Sequence, residues 1–455
     1  MPAPRRAPLS LAPLLVFALA GAPLSGYDGE LDADGFAPPN GFVTLGSTTT
    51  AGRAGLVGPD GSAVLIGQAG ANGIFWARVG EHGGGGGTCT FTPPGVGAAG
   101  AYHGLFDRDG RLVLTGAATY PALGTVLFVA RFLYPSCTLD SAFDGDGYFT
   151  LDGAADQLGL RVAATRVAGP LPGTWFERLV VAGNEYVQNG SDLSDIVLVR
   201  LREDGSLDSG FGGGDGVVHL DFDGETNLVT ALAVDAARRL VVAGNVDPFG
   251  ADPDAMLVRT LADGTLDGSF GSFGWTRWDC GTTNPGEDQV GALAIAPGGE
   301  LYVASVWIYE VPATVSYVMA TQLSADGVVG DSELLLNLGP GSTTADGLAL
   351  QGDGRLILVG STDALASDWR GWALAVRVPG WEADPTWGNP SDLIEYDLDL
   401  VAGGNERLTA VALAAGRPLV FGHADTPSGL RGLVLRLDNA YIFADGFEAG
   451  STASW

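Results

Sequence analysis

The feature that most constrains this chain is a pair of short columns that each recur seven times. One reads "DGSAVLIG" to Gly67, "DGRLVLTG" to Gly116, "ERLVVAG" to Gly183, "RRLVVAG" to Gly244, "GELYVAS" to Ser305, "DGRLILVG" to Gly360 and "GRPLVFG" to Gly422. Successive members lie 49, 67, 61, 61, 55 and 62 residues apart. The other is an apolar run ending in Arg78, Arg131, Arg200, Arg259, Gln322, Arg377 and Arg436. A period near 60 residues means that one supersecondary unit is stacked on copies of itself, each burying the face of its neighbour.

Punctuation within a unit gives its strand count. In the fourth unit "VTALAVD" alternates, "RRLVVAG" and "DAMLVRTL" are continuous apolar runs, and "SFGWTRWD" follows, with Asp, Gly or Pro between them. Continuous apolar runs of this length suit strands covered on both faces. Four short antiparallel strands repeated seven times predict an all-β fold, a seven-bladed β-propeller of four-stranded blades. The ends predict closure. "NGFVTLG", Asn40 to Gly46, is a lone fourth-strand element, whereas the carboxy-terminal unit offers only "LTAVALA", "GRPLVFG" and "GLVLRL". The amino-terminal strand therefore completes the last blade and removes an open edge.

A third column, a Leu-Asp turn, joins the third strand to the fourth: "GELDADGFAPPNGFV" from Gly29, "CTLDSAFDGDGYF" from Cys137, "GSLDSGFGGGDGVV" from Gly205 and "GTLDGSFGSFGWT" from Gly264. Asp204-Gly205 is a turn dipeptide in which Gly supplies a positive φ. Leu207 and Phe211, with their counterparts Leu139 and Phe143 and Leu266 and Phe270, are expected to plug the blade edge as scaffolding. Arg200 is expected to pair with Asp208 if both fall on one face, and an exposed pair contributes only about 0.2–1 kcal/mol.

The combination "A-L-A-V-x-x-x-x-R-L-V-V-A-G" with "L-V-R-x-x-x-D-G-x-L-D-x-x-F-G" resembles the delta-60 repeat, a bacterial propeller-like repeat of unknown function. Units one, five and six depart from it at "GGGGGTCTFTPP", "GVVGDSELL" and "ADPTWGNP". The resemblance implies a propeller in an exported setting and carries over no catalytic residue.

All 23 basic residues are Arg, against 53 Asp and Glu, for a formal charge of -30. Phosphate recognition needs a basic face, so nucleic acid is excluded as a partner. Residues 1–25, "MPAPRRAPLSLAPLLVFALAGAPLS", place two Arg ahead of a short apolar run and read as a secretory signal peptide. Nothing later is long and apolar enough to span a membrane. The propeller is expected over residues 27–439. Residues 440–455 form a tail whose "F-x-D-G-F-E" resembles the ends of exported proteins of some gamma-proteobacteria. A monomer that is secreted, periplasmic or on the surface of a bacterium follows from these readings.

Cys89 and Cys137 occupy matching places in adjacent units, which are usually farther apart than the roughly 7 Å Cα limit of a disulfide. No bridge between them is expected, and the odd count leaves a free thiol. No cofactor is expected. Asp144, Asp146, Asp215, Asp221 and Asp223 could bind calcium weakly, but no calcium-loop motif is complete and the fold should not depend on metal. The four histidines fall in different units, with no zinc motif, nucleophile elbow or phosphate loop.

Function is therefore sought on the face that carries the connections between second and third strands. These hold Tyr120, Tyr186, Phe249, Trp307, Tyr309 and Trp369, beside Glu185, Asp247, Glu310 and Asp368. Aromatic planes with neighbouring acids suit a glycan or protein ligand, with Trp307, Tyr309 and Trp369 as stacking platforms. The alternative is a propeller-fold hydrolase or lyase acting on polysaccharide.

Overall fold

The computed structural model describes residues 31–437 apart from short internal stretches, the longest being 187–192, so residues 1–30 and 438–455 lie outside it. Seven sheets follow one another, each of antiparallel strands. Among the described residues there is no α-helix, and none long and apolar enough to cross a membrane. Blade 1 runs Thr50–Val57, Ala63–Ala69, Gly73–Val79 and Thr88–Phe91. Blade 4 runs Asn227–Val234, Leu240–Val246, Asp254–Thr260 and Trp275–Trp278. The second and third strands are the buried ones, and every residue of Leu240–Val246 is buried. First strands of neighbouring blades touch in a closed ring and line the central channel.

Closure is as expected. Phe42–Leu45 pairs with Gly429–Arg436 as the fourth strand of blade 7. The preceding Leu-Asp element joins too, through a bridge from Leu31 to Leu437.

The column of six glycines, with Ser305 in their place in blade 5, has a backbone cause. The first strand of blades 1 to 5 and 7 carries a β-bulge, at Arg53, Tyr102, Leu160, Thr230, Gly291 and Thr409. The residue opposite the bulge lies so close to a first-strand carbonyl that a Cβ on Gly67, Gly183, Gly244 or Gly422 would fall onto the oxygen of Ala51, Leu158, Leu228 or Arg407. Glycine is needed for close approach. Gly360 meets the Thr344 oxygen in the same way, which gives Asp346 the bulge position of blade 6.

The Leu-Asp turns lock blade to blade. In blade 3, Arg200 meets Asp208 at 2.9 Å, covers the Phe211 ring at 4.7 Å, and donates to the Ala262 carbonyl of blade 4. Phe211 lies against Gly264, whose φ of 90° no larger residue adopts easily. Blade 2 repeats the arrangement with Arg131, Asp140, Phe143 and the Glu203 carbonyl. Blade 4 does so with Arg259, Asp267, Phe270 and the Ala325 carbonyl. Blade 7 uses Arg436 with Asp32, Phe36 and the Glu81 carbonyl.

Each aspartate holds a second arginine, from the start of the second strand. Arg111 joins Asp140, Arg178 joins Asp208, Arg239 joins Asp267 and Arg417 joins Asp32, all within 3.4 Å. Arg259 is 1% exposed, so the exposed-pair expectation is corrected: these carboxylates are buried between two guanidinium groups. Blade 6 hides the same device in "ADPTW". Asp384 binds Arg355 and Arg377, both at 3.2 Å, and Trp387 takes the phenylalanine place.

Blade 1 lacks the Leu-Asp turn, and there the expectation about cysteine fails. Cys89 and Cys137 form a disulfide, with Cα atoms 5.4 Å apart. The two are not equivalent in space: Cys89 lies in the outer strand of blade 1, Cys137 in the connection that follows the third strand of blade 2. That connection leans back over blade 1, with Tyr134 Oη 2.7 Å from Ser62 Oγ and its ring against Trp76. The disulfide thus ties blade 1 to blade 2 where other blades use Arg, Asp and Phe. Cys280 is the free, buried thiol.

Candidate functional site

The aromatic residues singled out on the second-to-third connections are dispersed. Tyr120 is half-buried and packs on the core between blades 1 and 2. Tyr186 is 46% exposed, and its amide donates to the Asp156 carbonyl. Phe249 and Glu310 lie outside the described residues. Trp307 stacks on Tyr317 at 5.1 Å and stands 6.0 Å from Tyr309, all in blade 5. Its indole Nε1 is buried and has no hydrogen-bond partner among the described residues. Trp369 of blade 6 stands apart from that trio, with the Arg407 guanidinium of blade 7 lying 3.2 Å from its ring centroid. The companion acids are engaged: Glu185 binds His219 at 2.7 Å, and Asp368 approaches Arg370 at 4.0 Å.

Arg407 leads from this face into the channel. Trp369 donates its amide to Asn405, and Glu406 donates its own to the Trp369 carbonyl, so the loop is pinned to the beginning of the first strand of blade 7. Deeper, at the level of the bulges, lie Arg53, Tyr102, His103, Arg161 and Asp346. Arg53 lies 4.7 Å from the centroid of the Tyr102 ring and donates to Gln68. Arg161 donates to the Leu160 carbonyl. Asp346 accepts a 2.5 Å hydrogen bond from Thr344.

Charge crosses the channel here. Burial pushes the Asp346 carboxyl up to about 6, opposed by the Thr344 hydroxyl and by the charges of Arg407 and Arg161. Arg161 belongs to blade 3, opposite blade 6 in the ring. Burial also lowers the Arg161 guanidinium to about 10, although part of the residue remains accessible, as fits the wall of a narrow channel. Burial, and then the charge of Arg161, hold His103 down at about 3, leaving a neutral ring whose Nδ1 accepts from the Val162 amide. His423 is lowered by burial too, and it lies within the influence of both Arg407 and Arg53.

Inspection of the sequence missed this cluster because its members share no motif. The signal available was positional: Arg53, Tyr102 and Asp346 all fall at the bulge, a fixed distance before the glycine column.

No group of three His, Cys, Asp or Glu among the described residues is arranged to hold a metal ion. Acids considered for calcium make turns: Asp215 accepts from the Val217 amide, Asp221 from Gly224 and Asp146 from Tyr148.

No curated protein matches the chain. Among solved structures, an ulvan lyase of the polysaccharide lyases is 10% identical, with a TM-score of 0.43 over 68% of this chain and 75% of that one. An α-L-arabinofuranosidase from Fusarium graminearum is 11% identical, with a TM-score of 0.42 over 75% of this chain and 93% of that one. A sialidase from Trypanosoma rangeli is 9% identical, with a TM-score of 0.41 over 89% of this chain and 57% of that one. Likeness this distant says nothing about chemistry. Residues 178–211 and 238–270 match the model of a family described as a domain of unknown function (DUF5122) beta-propeller. Both stretches run from the beginning of a second strand to Phe211 or Phe270, so the match falls on two of the four blades with an Arg, Asp and Phe lock, and it supports a propeller-repeat chain.

Proposed function

We propose that this chain is an exported binding protein, built from repeats of the delta-60 kind, whose ligand is an extracellular glycan or a protein. In this reading residues 1–25 direct export, and residues 440–455 are a tail outside the propeller repeats. The ligand docks on the face of the second-to-third connections, over the mouth of the channel. The observation that carries the reading is the guanidinium of Arg407 held 3.2 Å from the ring centroid of Trp369, beside the channel opening. A ring with a cation on one side offers its other side for stacking and hydrogen-bond donors at its rim, a combination suited to a sugar or a polar peptide. Trp307 and Tyr309 form a second platform on blade 5, and Tyr120, Tyr186 and Phe249 belong to the same circle of connections.

Asp346 favours a second reading. A half-buried carboxyl that burial pushes up to about 6 has the property required of a general acid in a hydrolase or lyase acting on polysaccharide. A glycan array run beside a turnover assay on the bound sugars separates the two. Binding without turnover is expected, with Trp369→Ala losing at least tenfold in affinity. Binding unchanged when Trp307, Tyr309 and Trp369 are all replaced by Ala overturns the assignment of this face.

A further inference from the structure

In a chain with 53 acidic and 23 basic residues, an arginine that lacks a carboxylate partner is the exception to be explained. Most described arginines are in ion pairs, several of them two to one carboxylate. Six are not, Arg53, Arg161, Arg166, Arg238, Arg407 and Arg431, and of these Arg53, Arg161 and Arg407 stand at the channel cluster. Among the described residues none of the three has a carboxylate oxygen within 4.0 Å. Their hydrogen-bond and ring partners are neutral: Tyr102 and Gln68 for Arg53, the Leu160 carbonyl for Arg161, and the Trp369 ring for Arg407, while Asp346 acts on Arg161 and Arg407, and Asp363 on Arg407, at longer range. All three stand on first strands, in blades 1, 3 and 7, and so converge on one channel from separate sides. The Asp346 carboxyl, acted on by both Arg161 and Arg407, links two of them across the opening. His423, acted on by Arg407 and Arg53, links the third.

We infer that the channel, between its mouth and the first-strand bulges, is a binding site for a carboxylate, held by Arg161 and Arg407 with Arg53 beside them. The inference rests on the ligand-binding reading given above and narrows the ligand to an acidic one, of which a uronic acid is the simplest sugar. A planar carboxylate can accept paired N–H bonds from one guanidinium while a second approaches from another side. The chain's negative charge is little obstacle at this depth. At physiological ionic strength exposed charges are screened beyond about 8 Å, whereas partly buried pairs are screened far less. Arg407 joins the anion site to the Trp369 platform, so one ligand could place its carboxylate in the channel and its apolar face on the ring.

The test uses D-glucuronate and D-glucose, which differ in the carboxylate, titrated into the full chain and followed by melting temperature and by calorimetry. Glucuronate is expected to raise the melting temperature and glucose is not. The Arg161→Gln, Arg407→Gln double variant is expected to lose the glucuronate shift while melting as a single transition. Arg53→Gln alone should weaken binding less than tenfold. If glucuronate stabilises no more than glucose, or stabilises the double variant equally, the anion site is wrong. Should the double variant fail to fold, Arg161→Gln and Arg407→Gln serve singly: each should weaken the glucuronate shift, and a shift unchanged in both overturns the assignment to the arginines. Array binding to neutral glycans alone would sink the carboxylate inference and leave the binding reading standing. A glucuronate shift without any glycan or protein ligand would do the reverse.

Discussion

At Asp208 two guanidinium groups converge on one carboxylate that is almost inaccessible to water, Arg178 at 2.7 Å and Arg200 at 2.9 Å. Burial alone would raise its pKa, but the Gly210 amide and the two arginines outweigh it and hold the carboxyl below its ordinary value. The same balance lowers Asp140 and Asp267. Carboxyls depressed in this way contribute stability that is present above the unfolded-state pKa, about 3.9, and is lost as pH falls through the folded value. Acid unfolding is therefore expected below about pH 4. Asp208→Ala strands the buried Arg200 and the half-buried Arg178 and should cost about 3–5 kcal/mol in urea unfolding. A loss under 1 kcal/mol would mean that the pair is solvated. The pairing of Arg200 with Asp208 was legible in the sequence as a repeated Arg, Leu-Asp spacing. Its burial was not, because the lid over it comes from Ala262 in the next blade.

At the scale of the element, a blade is held to its neighbour by whatever follows its third strand. Blades 2, 3, 4 and 7 use Arg, Asp and Phe, blade 6 uses Asp384 and Trp387, and Tyr302 of blade 5 meets Trp381 of blade 6 edge to face at 5.8 Å. Between blades 1 and 2 the covalent bond from Cys89 to Cys137 stands in that place. Its two ends are 48 residues apart, for which the chain-entropy account gives about 4 kcal/mol. Replacing both cysteines by serine should lower the melting temperature and loosen blade 1 first, seen as faster amide exchange in Ala63–Ala69 than in Leu240–Val246. Uniform loss of protection would show that the ring opens as one unit instead. Matching positions in sequence argued against this bond because equivalent points on neighbouring blades are far apart. The segment around Tyr134 breaks the equivalence, and only its packing on Trp76 and Ser62 reveals that.

Across the whole molecule the ring creates enclosed positions that no single blade has. Asp288, at the beginning of the first strand of blade 5, is 1% exposed and accepts the Cys280 amide with one oxygen. Burial pushes it up to about 7, the Cys280 amide opposes this, and the charges of Asp279 and Asp254 add to it. A carboxyl raised in the folded state keeps its proton longer than in the unfolded chain, so its contribution worsens as pH rises from about 4 to about 7. Asp288→Asn keeps an acceptor for the Cys280 amide and removes the charge. It should stabilise the protein by roughly 2–4 kcal/mol at pH 8 and by little at pH 4. Equal effects at both pH values would show that Asp288 ionises normally.

The sequence by itself determined the number of blades, the four strands in each, the closing amino-terminal strand and the repeated locks, since all of these are periodic and local. Alternation, apolar runs and turn dipeptides act over a few residues, and copying them seven times makes them unmistakable. Tertiary structure alone decided the disulfide, the burial of the shared aspartates and the placing of Arg53, Arg161 and Arg407 on strands that line one channel. Those depend on which side chains from different blades share a space. A closed ring brings residues 53, 161 and 407 to one axis through the accumulated geometry of seven packed sheets, and no interval along the chain encodes that convergence.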